Sequence, residues 1–252
     1  MNLVRSESVL RVQRWLARRV MRNNLVLARE AGVVSFSFDD APKSACQKGR
    51  QVLEGLGCQG TWYIAGGLTD QLEQGRPCHS VQDIQNLLQS GHHIGCHTFS
   101  HRPCTQMTVA EMQAELQRNA EFFQQMGVPT TSLHFSFPLG AFDLAAKYVV
   151  SQNFCTSRIT GGGVQIGRAD LNGLLSERLY QHSMSLTRLH SLIKEVADKR
   201  GWLIFYTHDV EDNPSQWGCT PALLAQAVRA ALDAGCRVLP VDQALVYWQA
   251  RA

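Results

Sequence analysis

Val33-Val34-Ser35-Phe36-Ser37-Phe38-Asp39-Asp40-Ala41-Pro42 reads as a β-strand that ends in two carboxylates. Val34, Phe36 and Phe38 alternate with Val33, Ser35 and Ser37, the two-residue period of a pleated strand, and Pro42 cannot continue a ladder because it lacks an amide proton. Asp39 and Asp40 therefore fall at the strand's C-terminal end, where successive side chains point to opposite faces. Such a pair can divide two tasks, one carboxylate holding a metal and the other handling a proton. Asp-Asp-Ala-Pro is also ordinary turn chemistry, so the weight of the pair depends on what the rest of the chain brings to it.

Working outward, strand-like and helix-like segments alternate from residue 32 onward. Ser44 to Leu56 reads as a helix stopped by Gly57, Gly60 to Ile64 as a strand, and Ser80 to Ser90 as a helix with Ser80 as N-cap, closed by Gly91. His93 to His97 is the next strand. Thr108-Val109-Ala110-Glu111 is a capping box that opens a long helix ending at Gly127, and Leu133 to Phe137 is a strand stopped by Pro138. Helices over 142–152, 187–200 and 221–234 each precede a strand, over 154–157, 202–206 and 237–239. Six or more β-α units predict an α/β protein with a parallel sheet, closed into a barrel or doubly wound. Residues 159 to 184, with Gly161-Gly162-Gly163, show no clear period.

The chain has 252 residues, 44% of them hydrophobic, enough for a large core and compatible with a single α/β barrel. No run approaches the roughly 18 apolar residues of a membrane span, and the N-terminus shows no uninterrupted apolar stretch of the secretory type. The expected location is the cytoplasm, with the eight cysteines, none in a C-x-x-C pair, as reduced thiols. Residues 1–31 carry seven arginines against Glu7 and Glu30, so the basic character of a chain of net charge +3 belongs to that segment and the remainder is mildly acidic. Val9, Val12, Leu16 and Val20 recur at helical offsets, with Arg11, Arg14, Arg18 and Arg22 on the opposite face. An amphipathic basic helix over 1–31 is expected, either packed on the domain with a solvated arginine face or lying on anionic lipid as a peripheral membrane contact. Nucleic acid is not an expected partner, because Trp15 is the one aromatic among these arginines and no base-stacking platform interleaves them.

The polar residues gather at predicted strand ends: Asp39 and Asp40, His97-Thr98-Phe99-Ser100-His101, Pro138-Leu139-Gly140, and Thr207-His208-Asp209. In a β/α barrel these ends converge on one face, where such folds place their active sites. Two histidines four apart plus a carboxylate suit a catalytic zinc that keeps a position open for water, although H-x-x-x-H alone is a weak signal.

This combination resembles the polysaccharide deacetylases with the NodB homology domain, carbohydrate esterase family 4. The family's T-F-D-D-G-P motif is matched by Ser37-Phe38-Asp39-Asp40-Ala41-Pro42 and its H-S/T-x-x-H motif by His97-Thr98-Phe99-Ser100-His101, in the same order. Gly60-Thr61-Trp62-Tyr63 and Gly91-His92-His93-Ile94-Gly95 are similar to the family's sequence around those motifs. R-x-P-Y-G is met only in part by Ser136-Phe137-Pro138-Leu139-Gly140, and L-x-H by Tyr206-Thr207-His208. The likeness spans 33–245. It departs at Ser136, which stands where the family has an arginine, at Leu139 in place of a tyrosine, and in lacking D-x-x-D-W.

The resemblance implies a distorted (β/α)7 barrel, with 32–252 as the catalytic domain beside the N-terminal helix of 1–31. It implies that Asp40, His97 and His101 hold a divalent metal, Zn2+, that Asp39 is the general base for the attacking water, and that His208 protonates the leaving amine. Leu139 would offer a backbone amide to the oxyanion, and Arg158, Tyr206 and Trp217 are placed on the substrate side; Trp217, in the long loop after His208, is expected either to stack on a sugar face or to pack that loop down. Arg158, at the end of the strand over 154–157, is the expected replacement for the family arginine that orients Asp39, with Arg168 in reserve. The implied activity is removal of an acetyl group from an N-acetylated sugar, nucleotide-linked, lipid-linked or oligosaccharide, during synthesis of a bacterial surface polysaccharide such as lipopolysaccharide O-antigen or exopolysaccharide. Two other readings stand beside it: a catalytically silent glycan-binding or scaffold protein on the same barrel, and a hydrolase of another amide or ester.

Overall fold

The computed structural model describes residues 15–129 and 134–250. In chain order the strands are β1 (Asn24–Val26), β2 (Val33–Asp39), β3 (Thr61–Ile64), β4 (Leu72–Glu73), β5 (Arg76–Pro77), β6 (His93–Cys96), β7 (His134–Ser136), β8 (Thr156–Thr160), β9 (Arg168–Asp170), β10 (Leu174–Arg178), β11 (Trp202–Thr207) and β12 (Arg237–Val238). The helices are α1 (Arg50–Gly55), α2 (Val81–Gln89), α3 (Val109–Met126), α4 (Leu144–Asn153), α5 (Leu186–Lys199), α6 (Pro221–Asp233) and α7 (Val241–Gln249).

Strand β2 is buried along its whole length because it has partners on both sides. Its first half pairs with β12 and its second half with β3, while β11 runs along its other edge from Trp202 opposite Val33 to Thr207 opposite Phe38. Following β2 through β3, β6, β7, β8, β10 and β11 returns to β2, so seven parallel strands close a barrel. The (β/α)7 expectation holds, and closure removes the doubly wound alternative. The two-residue period of β2 sorts its faces: Val34, Phe36 and Phe38 pack outward in the main core, where Phe38 stacks on Trp62 with ring centroids 4.5 Å apart. Ser35 and Ser37 point inward and are satisfied there, Ser35 Oγ accepting from Trp202 Nε1 and Ser37 Oγ donating to the Phe205 carbonyl. Cutting Phe38 to Ala would cost about 3–5 kcal/mol of packing.

The N-terminal end of the barrel is plugged by Val33, Leu174, Trp202 and Ile204, on which α7 lays Val241, Ala244, Leu245 and Trp248. With that end filled by apolar side chains, the polar interior lies toward the strands' C-terminal ends. Helix starts are where the caps put them: Ser80 and Thr108 each form a full capping box, and Gly127 closes α3 in the left-handed region.

Two expectations are corrected. The helix expected over 1–31 falls outside the described residues for 1–14, and beyond them its helical turn ends at Ala17. Met21 then takes a left-handed φ of 51°, and β1 pairs antiparallel with β9, burying Leu27 while Val26 faces out. The turn's open carbonyls are met by a buried lysine: Lys147 Nζ donates to Ala17 O at 2.8 Å and Val20 O at 3.0 Å and pairs with Asp170 at 3.1 Å. Residues 15–31 are thus packed onto the barrel. The second correction concerns 159–184, which hold β9 and the barrel strand β10. No helix separates β8 from β10, so the alternation that marks the other strands is missing there.

Candidate active site

Beyond Asp39 the chain turns sharply. Asp40 has φ 60° and Ala41 φ 48°, and Thr98, His101 and Leu139 at neighbouring strand ends are also left-handed. Such backbone costs of order 1–3 kcal/mol per residue and persists only where surroundings enforce it. The buried His79 ring does so at the first turn, its Nδ1 donating to the carbonyls of Asp40 at 3.1 Å and Ala41 at 3.3 Å. The histidine loop is tied to α3: Ser100 N and Oγ both donate to Glu115 Oε2 at 2.7 Å, and Asn119 Nδ2 donates to the sulfur of Cys96, the residue before His97, at 3.1 Å.

These turns bring Asp40, His97 and His101 together, all buried, with one ligand atom of each within 4.8 Å of the others. His101 Nε2 lies 2.9 Å and His97 Nε2 3.4 Å from Asp40 Oδ1. His97 Nδ1 faces the Ser136 carbonyl at 2.7 Å and His101 Nδ1 faces Glu73 Oε1 at 3.3 Å. In the neutral ring an Nδ1 proton committed to an acceptor leaves Nε2 as a lone pair, so both imidazoles, once neutral, aim lone pairs at a carboxylate oxygen that itself has no well-formed hydrogen bond. Three such acceptors converging in a buried site fit a divalent cation. Burial works to raise the pKa of Asp40, but His101 and His97 beside it hold the carboxyl well below its usual range. For His101, burial works to lower the pKa and the Asp40 and Glu73 carboxylates raise it above the usual imidazole value.

Asp39 lies beside this trio, also buried, and takes a hydrogen bond on Oδ1 from Arg158 Nη2. Arg158 is 1% exposed. The same Nη2 donates to Ser136 Oγ and Nη1 donates to Ser176 Oγ at 2.9 Å, with the Tyr63 and Tyr206 rings on either side at 5.1 and 4.7 Å. Burial would raise the Asp39 pKa; the charges of Arg158, His97 and His208 overcome it and hold the carboxyl below its usual range. Ser136 and Arg158 are direct partners in the β7–β8 register. The guanidinium therefore reaches Asp39 from the strand next to the one that carries the serine.

His208 enters from the end of β11 with Nε2 3.8 Å from Asp40 Oδ2. Its other nitrogen faces the Trp217 carbonyl at 3.2 Å, and its backbone N–H donates to that same oxygen at 3.1 Å. The loop supplying this carbonyl is anchored by buried Asp209, whose carboxylate accepts from Ser215 N and Oγ. A Cβ on Gly218 would lie 2.5 Å from the Asp209 carboxyl carbon, so only glycine lets the loop close on it. Asp39, Asp40, His97 and His208 open into one cavity of about 570 Å³, which Leu139, Tyr206 and Trp217 also line. Leu139 sits 65% exposed at its lip, and the Trp217 ring, 38% exposed, meets Tyr180 edge-on at 5.8 Å.

A family model described as polysaccharide deacetylase matches residues 28–155, just over half of the chain, and takes in Asp39, Asp40, His97, His101 and Ser136. The chain belongs to the polysaccharide deacetylase family, carbohydrate esterase family 4. That family is one of metal-dependent carbohydrate deacetylases, and the Asp-His-His set of this member fits its metal. Among solved structures the chain is similar to PdaA of Bacillus subtilis, a family 4 carbohydrate esterase, with a TM-score of 0.58 and 16% identity over 93% of this chain and 88% of that one. It is similar to the family 4 carbohydrate esterase from Streptomyces lividans in complex with acetate, with a TM-score of 0.57 and 18% identity over 82% and 91%. It is also similar to a family 4 pseudoenzyme from Bacillus anthracis, with a TM-score of 0.56 and 10% identity over 86% and 66%. At such identities the likeness shows the fold. No curated protein matches the chain.

Two expected placements change. Arg158, expected on the substrate side, is buried against Asp39 and does not line the cavity; it touches the carboxylate and not the open space. Arg168 is exposed on β9, outside the barrel, so it cannot serve in reserve. Sequence reasoning missed Glu73 and His79, which reach the metal set from the excursion over 65–80 containing the β4–β5 hairpin, a stretch with no period to read.

Proposed function

We propose that the protein is a hydrolase that removes the acetyl group of an N-acetylated sugar destined for a bacterial surface polysaccharide, with Asp40, His97 and His101 holding the metal and Asp39 and His208 moving protons. The meeting of these five side chains at one end of the barrel, four of them opening into one cavity, carries the reading. A divalent cation, Zn2+ by the nitrogen-rich donor set, would supply Lewis acidity toward water and the acetyl carbonyl when bound. Asp39, kept ionised beside Arg158, accepts the proton of the attacking water, and Arg158 fixes the direction of its carboxylate. The Leu139 backbone amide donates to the acetyl oxygen as it gains negative charge. His208 gives the proton from Nε2 to the amine nitrogen as the C–N bond breaks, its ring held by the Trp217 carbonyl. Acetate and a free amino sugar leave. For residues 15–22 we propose a peripheral contact with anionic lipid, supported by exposed Trp15, Val20 and Met21 beside Arg19 and Arg22.

The silent-binding reading is disfavoured because holding a metal needs neither a buried arginine on Asp39 nor a histidine fixed over the cavity. Acetate release is measured from a panel of N-acetylated and O-acetylated sugars, before and after chelation and metal restoration. Release from N-acetyl sugars that chelation stops and zinc restores is the expected result. No release from any member sinks the reading, and release from esters alone moves it to the other hydrolase class.

A further inference from the structure

The carboxylates that line the cavity are all engaged. Asp39 is paired with Arg158, Asp40 with the two histidines, Glu73 with His101, Asp209 with Arg76, and Glu177 with Arg188. Three arginines also line it: Arg76 and Arg188 are spoken for by those pairs, and the third is Arg178. Arg178 is exposed at the C-terminal end of β10, opposite Tyr206 in the β10–β11 register, and has no carboxylate within ion-pair distance among the described residues.

Its neighbour Glu177 is the nearest acid in sequence and is drawn elsewhere. Glu177 Oε2 accepts from Gly163 N at 3.0 Å and Arg188 Nη2 at 3.1 Å, and it can do so because Gly162, at φ 71°, has no Cβ; one built there would lie 2.8 Å from that oxygen. The glycine run over 161–163, which gives no secondary-structure signal, thus makes room for the Glu177 carboxylate, which forms no ion pair with Arg178. An unpaired guanidinium lining a candidate catalytic cavity is suited to an anion, since it offers a planar set of donors and is weakly hydrated.

We infer that the substrate carries an anionic group, a phosphate or a carboxylate, and that Arg178 recognises it. This rests on the cavity being the sugar site. Arg178 is a specificity-determining residue: it takes no part in proton transfer and selects charged sugars over neutral ones.

Product sugars test this without turnover. Equilibrium binding of glucosamine, glucosamine 1-phosphate and glucosaminuronic acid is measured by calorimetry for the zinc-loaded wild type, R178Q and R178K. At least one anionic sugar should bind wild type about tenfold tighter than glucosamine. That preference should vanish in R178Q and survive in part in R178K, with melting temperatures unchanged because the side chain is exposed. A gain for the phosphate alone assigns a phosphate-linked sugar, a gain for the carboxylate alone a uronic acid, and both assign an anion of either kind. Equal binding of all three by wild type overturns the inference, as does a preference that persists in R178Q, which would place the anion on the metal. Failure of the deacetylase reading shows separately, as absence of acetate release with the binding preference intact.

Discussion

Arg158 donates to Asp39 across the barrel interior from β8 to β2, from the position directly beside Ser136. The family's arginine is missing at 136, yet a guanidinium still meets the carboxylate, displaced by one strand. Ser136 is small enough to let it pass and accepts one of its hydrogen bonds.

Arg158→Lys keeps a charge and loses the fork, so it should lower turnover about 100-fold through misdirection of Asp39. Arg158→Ala should do more: it leaves a buried carboxylate unpaired and should cost about 3–5 kcal/mol of stability. Because the Asp39 pKa is depressed, its stabilising effect is present above the unfolded value of 3.8 and is lost as pH falls through the folded one. In Arg158→Lys, looser pairing should move the acid limb of kcat/KM to higher pH. An enzyme with full activity and an unmoved acid limb would end the positioning role.

Metal uptake should be proton-linked through His101. Its raised pKa means that the metal-free protein keeps a proton there to higher pH than an ordinary imidazole would, giving stability that is complete below 6.5 and lost as pH rises through the raised value. Below the raised value zinc must displace that proton, so affinity should climb with pH up to it and level off above it, with release of about one proton on the climbing limb in calorimetry across buffers of different ionisation enthalpy. His101→Ala should lose both the bound metal and the proton release. Unchanged zinc content in that variant would remove the metal assignment.

What could be read from sequence was what short spacing encodes. The period of β2 placed Asp39 and Asp40 at a strand end, the four-residue step placed His97 and His101 on one turn, and the end of the strand over 154–157 put Arg158 within reach of Asp39. Contacts made by excursions were not legible. Glu73 and His79 come from a hairpin excursion, β10 is five residues with no helix before it, and the helix predicted to residue 31 stops at Ala17 ahead of Met21, whose left-handed φ no periodicity reports. Such features depend on what the folded barrel enforces and not on local pattern.

The lipid contact should be carried by Arg19 and Arg22. Arg19 lies over the Trp15 ring at 3.9 Å, and Arg22 is half exposed, 3.8 Å from Asp170. Deleting residues 15–31 would also remove Ala17 and Leu27 from the core, so Arg19→Glu with Arg22→Glu is the cleaner variant. Wild type should sediment with vesicles containing phosphatidylserine and release at high salt, while the double variant should stay in solution. Equal sedimentation of the two would leave these residues a packing role alone.

Trp217 joins two functions that substitution can separate. Its carbonyl holds His208 and would remain in Trp217→Ala, whereas its ring supplies one wall of the cavity. Losing that ring should weaken sugar binding by about 1 kcal/mol, raising KM roughly five- to tenfold with kcat little changed. Asp209→Asn acts on the other function. It weakens the Ser215 anchor and the ion pair with Arg76, so the loop no longer presents its carbonyl firmly and His208 loses direction. In that variant kcat should fall about tenfold or more while KM changes little. The reverse split, with Trp217→Ala cutting kcat and Asp209→Asn raising KM, would show that the indole and not the loop backbone sets the position of His208.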